Sequence, residues 1–172
     1  MNEIKENVPN SSLIKIIGFG NIFMGDDGIG VRVIEELQKQ QIFKDNENIE
    51  LVDGGTSGVD LVFMLQNTCK AIIIDAVDAG QKIAQIVVFS PQEIKDFKKK
   101  IFKSYSLHDI DLAEAFELVK NLNLPTAIKI IGIKPKKIGY SDKLTPEIEK
   151  QIPDIITKVK EEVLKYTAAK TA

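Results

Sequence analysis

Apolar positions along this chain fall into short continuous runs, separated by longer stretches where they recur at helical spacing. Residues 13–19 (Leu-Ile-Lys-Ile-Ile-Gly-Phe) form the first run and end among glycines, which predicts a buried strand. Between residues 28 and 42, Ile29, Val31, Val33, Ile34 and Leu37 fit one face of a helix with charge on the other side. Residues 49–52 predict a second strand, stopped by Asp53-Gly54-Gly55, and residues 59–65 a helix. Residues 71–74 predict a third strand, apolar on both faces, as expected of a strand covered by helices on each side. Residues 83–89 predict a fourth, with Gln81-Lys82 suited to a hairpin-like return. Ser106 caps a helix through Leu112, Ala113, Phe116 and Val119, and residues 127–133 predict a fifth strand. Thr145-Pro146 opens the last helix with a cap residue and a proline at its first position, and Pro153 predicts a kink or restart within it.

Strands alternating with helices argue for an α/β sandwich on a mainly parallel sheet. At 172 residues the chain has the length of one ordinary domain, expected over 13–166 with flexible tails at 1–12 and 167–172. An apolar fraction of 44% and a charged fraction of 28% belong to a soluble globular protein. A net charge of −2 offers no global attraction to nucleic acid or an anionic membrane. One cysteine, Cys69, excludes an internal disulfide and a cysteine-based zinc cluster. The first twelve residues lack the apolar core of a signal peptide, and no apolar run approaches the roughly 20 residues that cross a bilayer. The expected location is the cytoplasm.

The chemistry concentrates at strand ends. Asp26 and Asp27 follow strand one, Asp53 ends strand two and Asp75 ends strand three. In an open α/β sheet the carboxyl ends of the strands line the functional crevice, so three strand ends bring carboxylates to one edge. The single histidine, His108, falls at the second position of the helix that Ser106 caps, within reach of that crevice. Any one aspartate alone reads equally well as a turn former or cap, and a lone histidine as a structural residue. The joint pattern favours a site, because Gly18, Gly20, Gly25, Gly28 and Gly30 crowd around the first acidic pair. Two carboxylates and an imidazole make an incomplete O, O, N set for a borderline divalent metal such as nickel or zinc.

Other chemistries fit less well. There is no HExxH zinc motif and no G-x-S-x-G elbow: Ser57 has Gly55 two before it but Val59 two after. A Cys69–His108 nucleophilic pair is formally available, yet Cys69 directly precedes the third strand and reads as buried and inert. A dinucleotide loop would need its third glycine elsewhere than Gly25, and Asp26-Asp27 would meet a pyrophosphate with two negative charges. Lys95, Lys98, Lys99, Lys100 and Lys103, interleaved with Phe97, Ile101 and Phe102, read as the solvated face of a surface helix anchored on the sheet.

The run Gly18-Phe-Gly-Asn-Ile-Phe-Met-Gly-Asp-Asp-Gly-Ile-Gly30 closely resembles the N-terminal signature of the hydrogenase maturation peptidases. Asp53-Gly54-Gly55-Thr56, Ile74-Asp75-Ala76, Ser106-Leu107-His108, Ile131-Gly132-Ile133-Lys134-Pro135 and Leu144-Thr145-Pro146-Glu147 resemble the family's later motifs in order, from about residue 13 to 164. The resemblance implies a three-layer α/β/α sandwich with a five-stranded, mostly parallel twisted sheet, phosphorylase/hydrolase-like in type. It implies an aspartic-type endopeptidase that removes the C-terminal extension of a nickel–iron hydrogenase large-subunit precursor after nickel insertion, and so activates the hydrogenase. By motif position the nickel-contacting residues are Asp27, Asp75 and His108. The nickel is then supplied by the substrate, and Asp53 or Asp27 is a candidate to activate water. Some relatives carry Glu in place of Asp27, and residues 139–143 form a looser turn than is usual in the family. The alternative from another class is a non-catalytic docking protein or chaperone for the same precursor.

Overall fold

The computed structural model describes residues 12–58, 60–95, 103–105, 112–124 and 126–171. Among these residues six strands form in chain order: β1 (Ile14–Phe19), β2 (Ile49–Gly55), β3 (Lys70–Asp78), β4 (Ile86–Phe89), β5 (Lys103–Ser104) and β6 (Ala127–Ile133). The helices are α1 (Ile29–Lys39), α2 (Asp60–Met64), α3 (Leu112–Asn121), α4 (Pro146–Glu149) and α5 (Ile152–Thr171). Two 3₁₀ turns lie at Asp26–Gly28 and Pro91–Lys95.

Five strands make the main sheet in the order β2-β1-β3-β6-β4, and β5 adds a two-residue ribbon to β3. The pairs β1–β2, β1–β3 and β3–β6 are parallel, and β4 closes the far edge antiparallel to β6. The expected five-stranded, mostly parallel sheet is therefore present. The hairpin-like return to β4 is not: β6 lies between β3 and β4, because a parallel strand returning through α3 fills the position beside β3.

Alternation along each strand divides the core between two layers. Ile16, Ile72, Ile74 and Ile131 pack under α1 and α5 with Val33, Leu37, Ile155 and Val159. Ile17, Phe19, Ile73, Val77 and Ile130 pack on the other face under α2 and α3, with Leu61, Leu65, Phe116 and Val119. Full burial of each such side chain contributes about 1.5–3 kcal/mol, so the central strands are the anchor of the fold.

Several boundaries move from expectation. β3 runs from Lys70 to Asp78, past the charged residues at both ends of the apolar run, because its backbone stays paired from Lys70↔Ala127 to Ala76↔Ile133 and on to β5. Asp75 therefore lies inside a strand. β2 likewise continues through Asp53 to Gly55, with a bulge that sets Gly18 opposite Asp53 and Phe19 opposite Gly55. β4 is shorter than expected, since Ile83 and Ala84 form a turn with Ala84 at φ 64°. The last helix restarts at Ile152 with Pro153 in its first turn, where the missing amide costs nothing. It continues to Thr171, through positions assigned to the C-terminal tail, since nothing after Pro153 breaks the helical pattern. The Ser106 cap, His108, and most of the lysine stripe with Phe97, Ile101 and Phe102 lie outside the described residues.

Candidate active site

The acidic loop is built by glycines that remove steric bulk. A β-carbon at Gly30 would stand 2.3 Å from the carbonyl oxygens of both Phe19 and Ile74, and one at Gly18 would stand 2.1 Å from the Gly30 oxygen. Bare backbone at these two positions lets the first turn of α1 rest directly on β1 and β3. Gly20, at φ 140°, brings its own backbone against Asp27. The 3₁₀ turn that carries both aspartates is thus pressed onto the carboxyl edge of the sheet.

Asp26 and Asp27 are both buried, at 0% and 1% exposure, and they face different partners. Asp26 accepts four hydrogen bonds from the far end of the chain. Its Oδ2 receives the amides of Lys136 (3.0 Å) and Lys137 (2.8 Å) and the Thr145 hydroxyl (3.0 Å), and its Oδ1 receives the Thr145 amide (2.6 Å). Thr145 holds the N-cap position of α4 but makes no side-chain cap bond, because its hydroxyl is given to Asp26. Backbone bonds reinforce the joint: Gly25 N to Ser141 O at 2.9 Å, Asp26 N to Lys137 O at 3.1 Å, and Ser141 N to Phe23 O at 3.0 Å. Asp26 is therefore a structural clamp. Asp27 is held differently, with its Oδ2 accepting the Asn21 amide at 2.9 Å, while the Asn21 side chain accepts from Phe23 N. Sequence reasoning assigned no role to Asn21 or to the Thr145 hydroxyl. Asn21 carried a signal in the Gly-Phe-Gly-Asn motif, whereas Thr145 looked like an ordinary helix cap.

Asp75 is fully buried and sits opposite Gly132 of β6, one residue beyond the last β1–β3 pair, Gly18↔Ile74. Strand alternation places it on the face covered by α2 and α3. Asp53 pairs with Gly18 in the neighbouring strand at the same level, so Asp53 and Ile74 stand on either side of β1, about 10 Å apart. Asp53 is exposed, and its Oδ1 accepts the Gly55 amide at 2.9 Å in an Asx-type turn. The structure thus brings Asp27, Asp53 and Asp75 to one sheet edge.

His108 lies outside the described residues, but both flanks of its segment are placed. Tyr105 N bonds Ala76 O at 3.2 Å, at the carboxyl edge, and α3 then carries the chain down to β6, which starts at the amino edge beside Lys70. Among the described residues, no three His, Cys, Asp or Glu side chains group so as to hold a metal.

The competing nucleophile is at the wrong end. Cys69 is half-buried just before β3 begins, and its thiol donates to Leu13 O at 2.9 Å. Five strand residues at about 3.3 Å each separate Lys70 from Asp75, which puts Cys69 well over 15 Å from the acidic edge. A dinucleotide pyrophosphate is excluded too, since the turn before α1 is filled by two buried carboxylates. Among the described residues no helix is long and apolar enough to cross a membrane.

Comparison with known proteins agrees with this architecture. Residues 31–162 match the family model described as hydrogenase maturation protease. The chain is 31% identical over 157 residues to the hydrogenase expression/formation protein HupD of Thiocapsa roseopersicina, covering 90% of this chain and 67% of that one. It is 29% identical over 149 residues to the hydrogenase 2 maturation protease of Escherichia coli, covering 85% and 87%. Among solved structures, the hydrogenase maturating endopeptidase HybD from E. coli superposes with a TM-score of 0.74 at 24% identity, over 90% of this chain and 93% of that one, which shows a common fold. A buried acidic pair set by glycines on the carboxyl edge, the α/β/α sandwich and these matches lead to one assignment: the chain belongs to the hydrogenase maturation proteases, enzymes that hydrolyse peptide bonds.

Proposed function

We propose that this protein removes the C-terminal extension from the nickel-loaded large-subunit precursor of a nickel–iron hydrogenase, in the cytoplasm, and that Asp27, Asp75 and His108 recognise the nickel held by that substrate. The observation that carries this reading is the placement of two buried carboxylates, Asp27 and Asp75, at one sheet edge. Carboxylates are hard oxygen donors that a divalent ion on an incoming substrate can engage. An O, O, N set leaves coordination positions for donors that stay with the substrate. Recognition by such a set makes loading of the substrate the condition for cleavage.

Hydrolysis needs a water whose oxygen bonds to the scissile carbonyl carbon as the C–N bond breaks, with the leaving amine taking up a proton. A carboxylate near that water acts as the base. Asp53 is a candidate because it is exposed at the edge with only Oδ1 engaged by Gly55. Asp27 is the other, itself one of the nickel-recognising residues, and loss of cleavage with retained precursor binding in Asp53→Asn or Asp27→Asn identifies the base.

The test is the intact mass of a cognate large-subunit precursor, nickel-loaded and nickel-free, after incubation with the protein. Loss of a C-terminal peptide from the loaded form alone is the expected outcome. A precursor that binds and keeps its mass in both forms would sink the peptidase reading for this chain and leave the docking-protein alternative.

A further inference from the structure

Two exposed aromatic residues stand on the loop joint beside the acidic site. Tyr140 is 96% exposed and Phe23 65%, and Ile138, at 36%, lies on the same backbone joint. They project from two segments that the fold has fastened together: Met24 bridges Ser141, Gly25 bridges Ile138, and Ser141 N bonds Phe23 O. The clamp of Asp26 on residues 136, 137 and 145 fixes the same joint. Apolar groups on a rigid support lose little further entropy on binding, and exposed aromatics so placed are the usual anchors of interfaces.

From this we infer that Phe23, Ile138 and Tyr140 form the surface on which the precursor large subunit docks, holding its chain against the acidic site. The occupant follows from continuity. Phe23 is four residues from Asp27 on one loop, and a polypeptide cleaved at the acidic edge extends about 3.3 Å per residue to either side of the cut bond. A substrate seated at Asp27 and Asp75 therefore passes within a few residues of this joint. Lys137 and Lys143 flank it against one exposed acid of the same stretch, Asp142, so the rim carries a small positive excess around an apolar centre. The surface suits a precursor segment with apolar side chains flanked by acidic ones. This inference rests on the maturation-protease reading.

The test uses the nickel-loaded cognate precursor with three proteins: wild type, the double variant Phe23→Ala with Tyr140→Ala, and Leu164→Ala, which removes an exposed leucine on α5 outside the joint. Tail release is followed by intact mass, and precursor affinity is measured separately by calorimetry. The double variant should raise KM and Kd by about tenfold or more with kcat within twofold, while Leu164→Ala changes neither. Melting temperatures equal to wild type show that the change is at the surface. KM and Kd within twofold of wild type in the double variant overturn the docking surface even if cleavage proceeds. If wild type binds the precursor without cutting it, the affinity arm still decides: loss of binding in the double variant supports the docking surface while the peptidase reading fails. Failure of wild type to bind at all overturns both.

Discussion

Asp26 and Asp27 are neighbours with the same side chain, both buried, and they do different work. Asp26 is satisfied by four donors from residues 136–145, so its carboxylate belongs to the fold. Replacing it with alanine leaves four part-buried donors without their acceptor and removes the tie between the loop and residues 136–145, and we expect a stability loss of about 2–3 kcal/mol in chemical denaturation. Asp27→Asn keeps the shape and the Asn21 contact, so its melting curve should stay close to wild type while release of the precursor tail falls more than about 100-fold. The reverse pattern, an inactive but stable Asp26 variant beside a destabilised but active Asp27 variant, would exchange the two roles. The residue pattern placed both at the site and only the family resemblance singled out Asp27; the structural role of Asp26 was not legible, because its donors lie more than 100 positions away. The glycines were legible as a shaped loop, and the geometry adds the reason: Gly18 and Gly30 are bare so that α1 can touch the sheet.

At the scale of elements, apolar runs with nothing polar inside them were read best. β6 has the expected limits, 127–133, because both of its faces are covered. β3 was read too short since Lys70, Asp75 and Asp78 each look like a place for a strand to stop. Each is accommodated instead. Asp78 bonds the Gly80 amide and pairs with Lys134 at 3.0 Å. Lys70 lies 3.6 Å from Glu162 of α5, with its ammonium 5.5 Å from the centre of the Tyr166 ring. Tyr166 in turn has its hydroxyl pushed up to about 12 by burial and by its bond with Cys69. Glu162, 4% exposed, also accepts from Lys165 at 2.7 Å. Burial pulls the Glu162 carboxyl upward, but the Lys165 hydrogen bond and the charges of Lys165 and Lys70 outweigh it and hold it below the ordinary 4.5. A depressed acid contributes stability that is present above its unfolded value and is lost as pH falls through the folded one. Glu162→Gln should therefore cost about 2 kcal/mol at pH 7, where it also leaves the buried Lys70 without its counter-charge. That gap from wild type should narrow as pH drops below 4.5. Parallel urea curves at pH 7 and pH 3.5 check this, and a gap that stays constant would show that the pair is not what couples α5 to the sheet.

On the scale of the whole molecule, structure and chemistry occupy opposite ends of the sheet. The Lys70–Glu162–Tyr166 group and Cys69 hold the amino edge, while Asp27, Asp53 and Asp75 gather at the carboxyl edge. Among the described residues, no group of His, Cys, Asp or Glu side chains at either end could hold a metal ion. The isolated protein should keep its melting temperature within about 1 °C after exhaustive chelation, since folding free energy that comes from a bound ion disappears with the ion. Stoichiometric nickel that survives chelation, or a clear drop in melting temperature, would assign the metal to this protein rather than to its substrate.

The clamp of Asp26 on residues 136–145 also has a bearing on synthesis. A nascent chain that has reached residue 135 contains every candidate acidic residue of the site and the strands that carry them, yet none of the four donors that hold the loop in place. The buried carboxylate of Asp26 would then have water as its partner, and the Phe23 loop would have nothing to lie against. The acidic loop therefore takes its held geometry only once the stretch through Thr145 is available to fold against it.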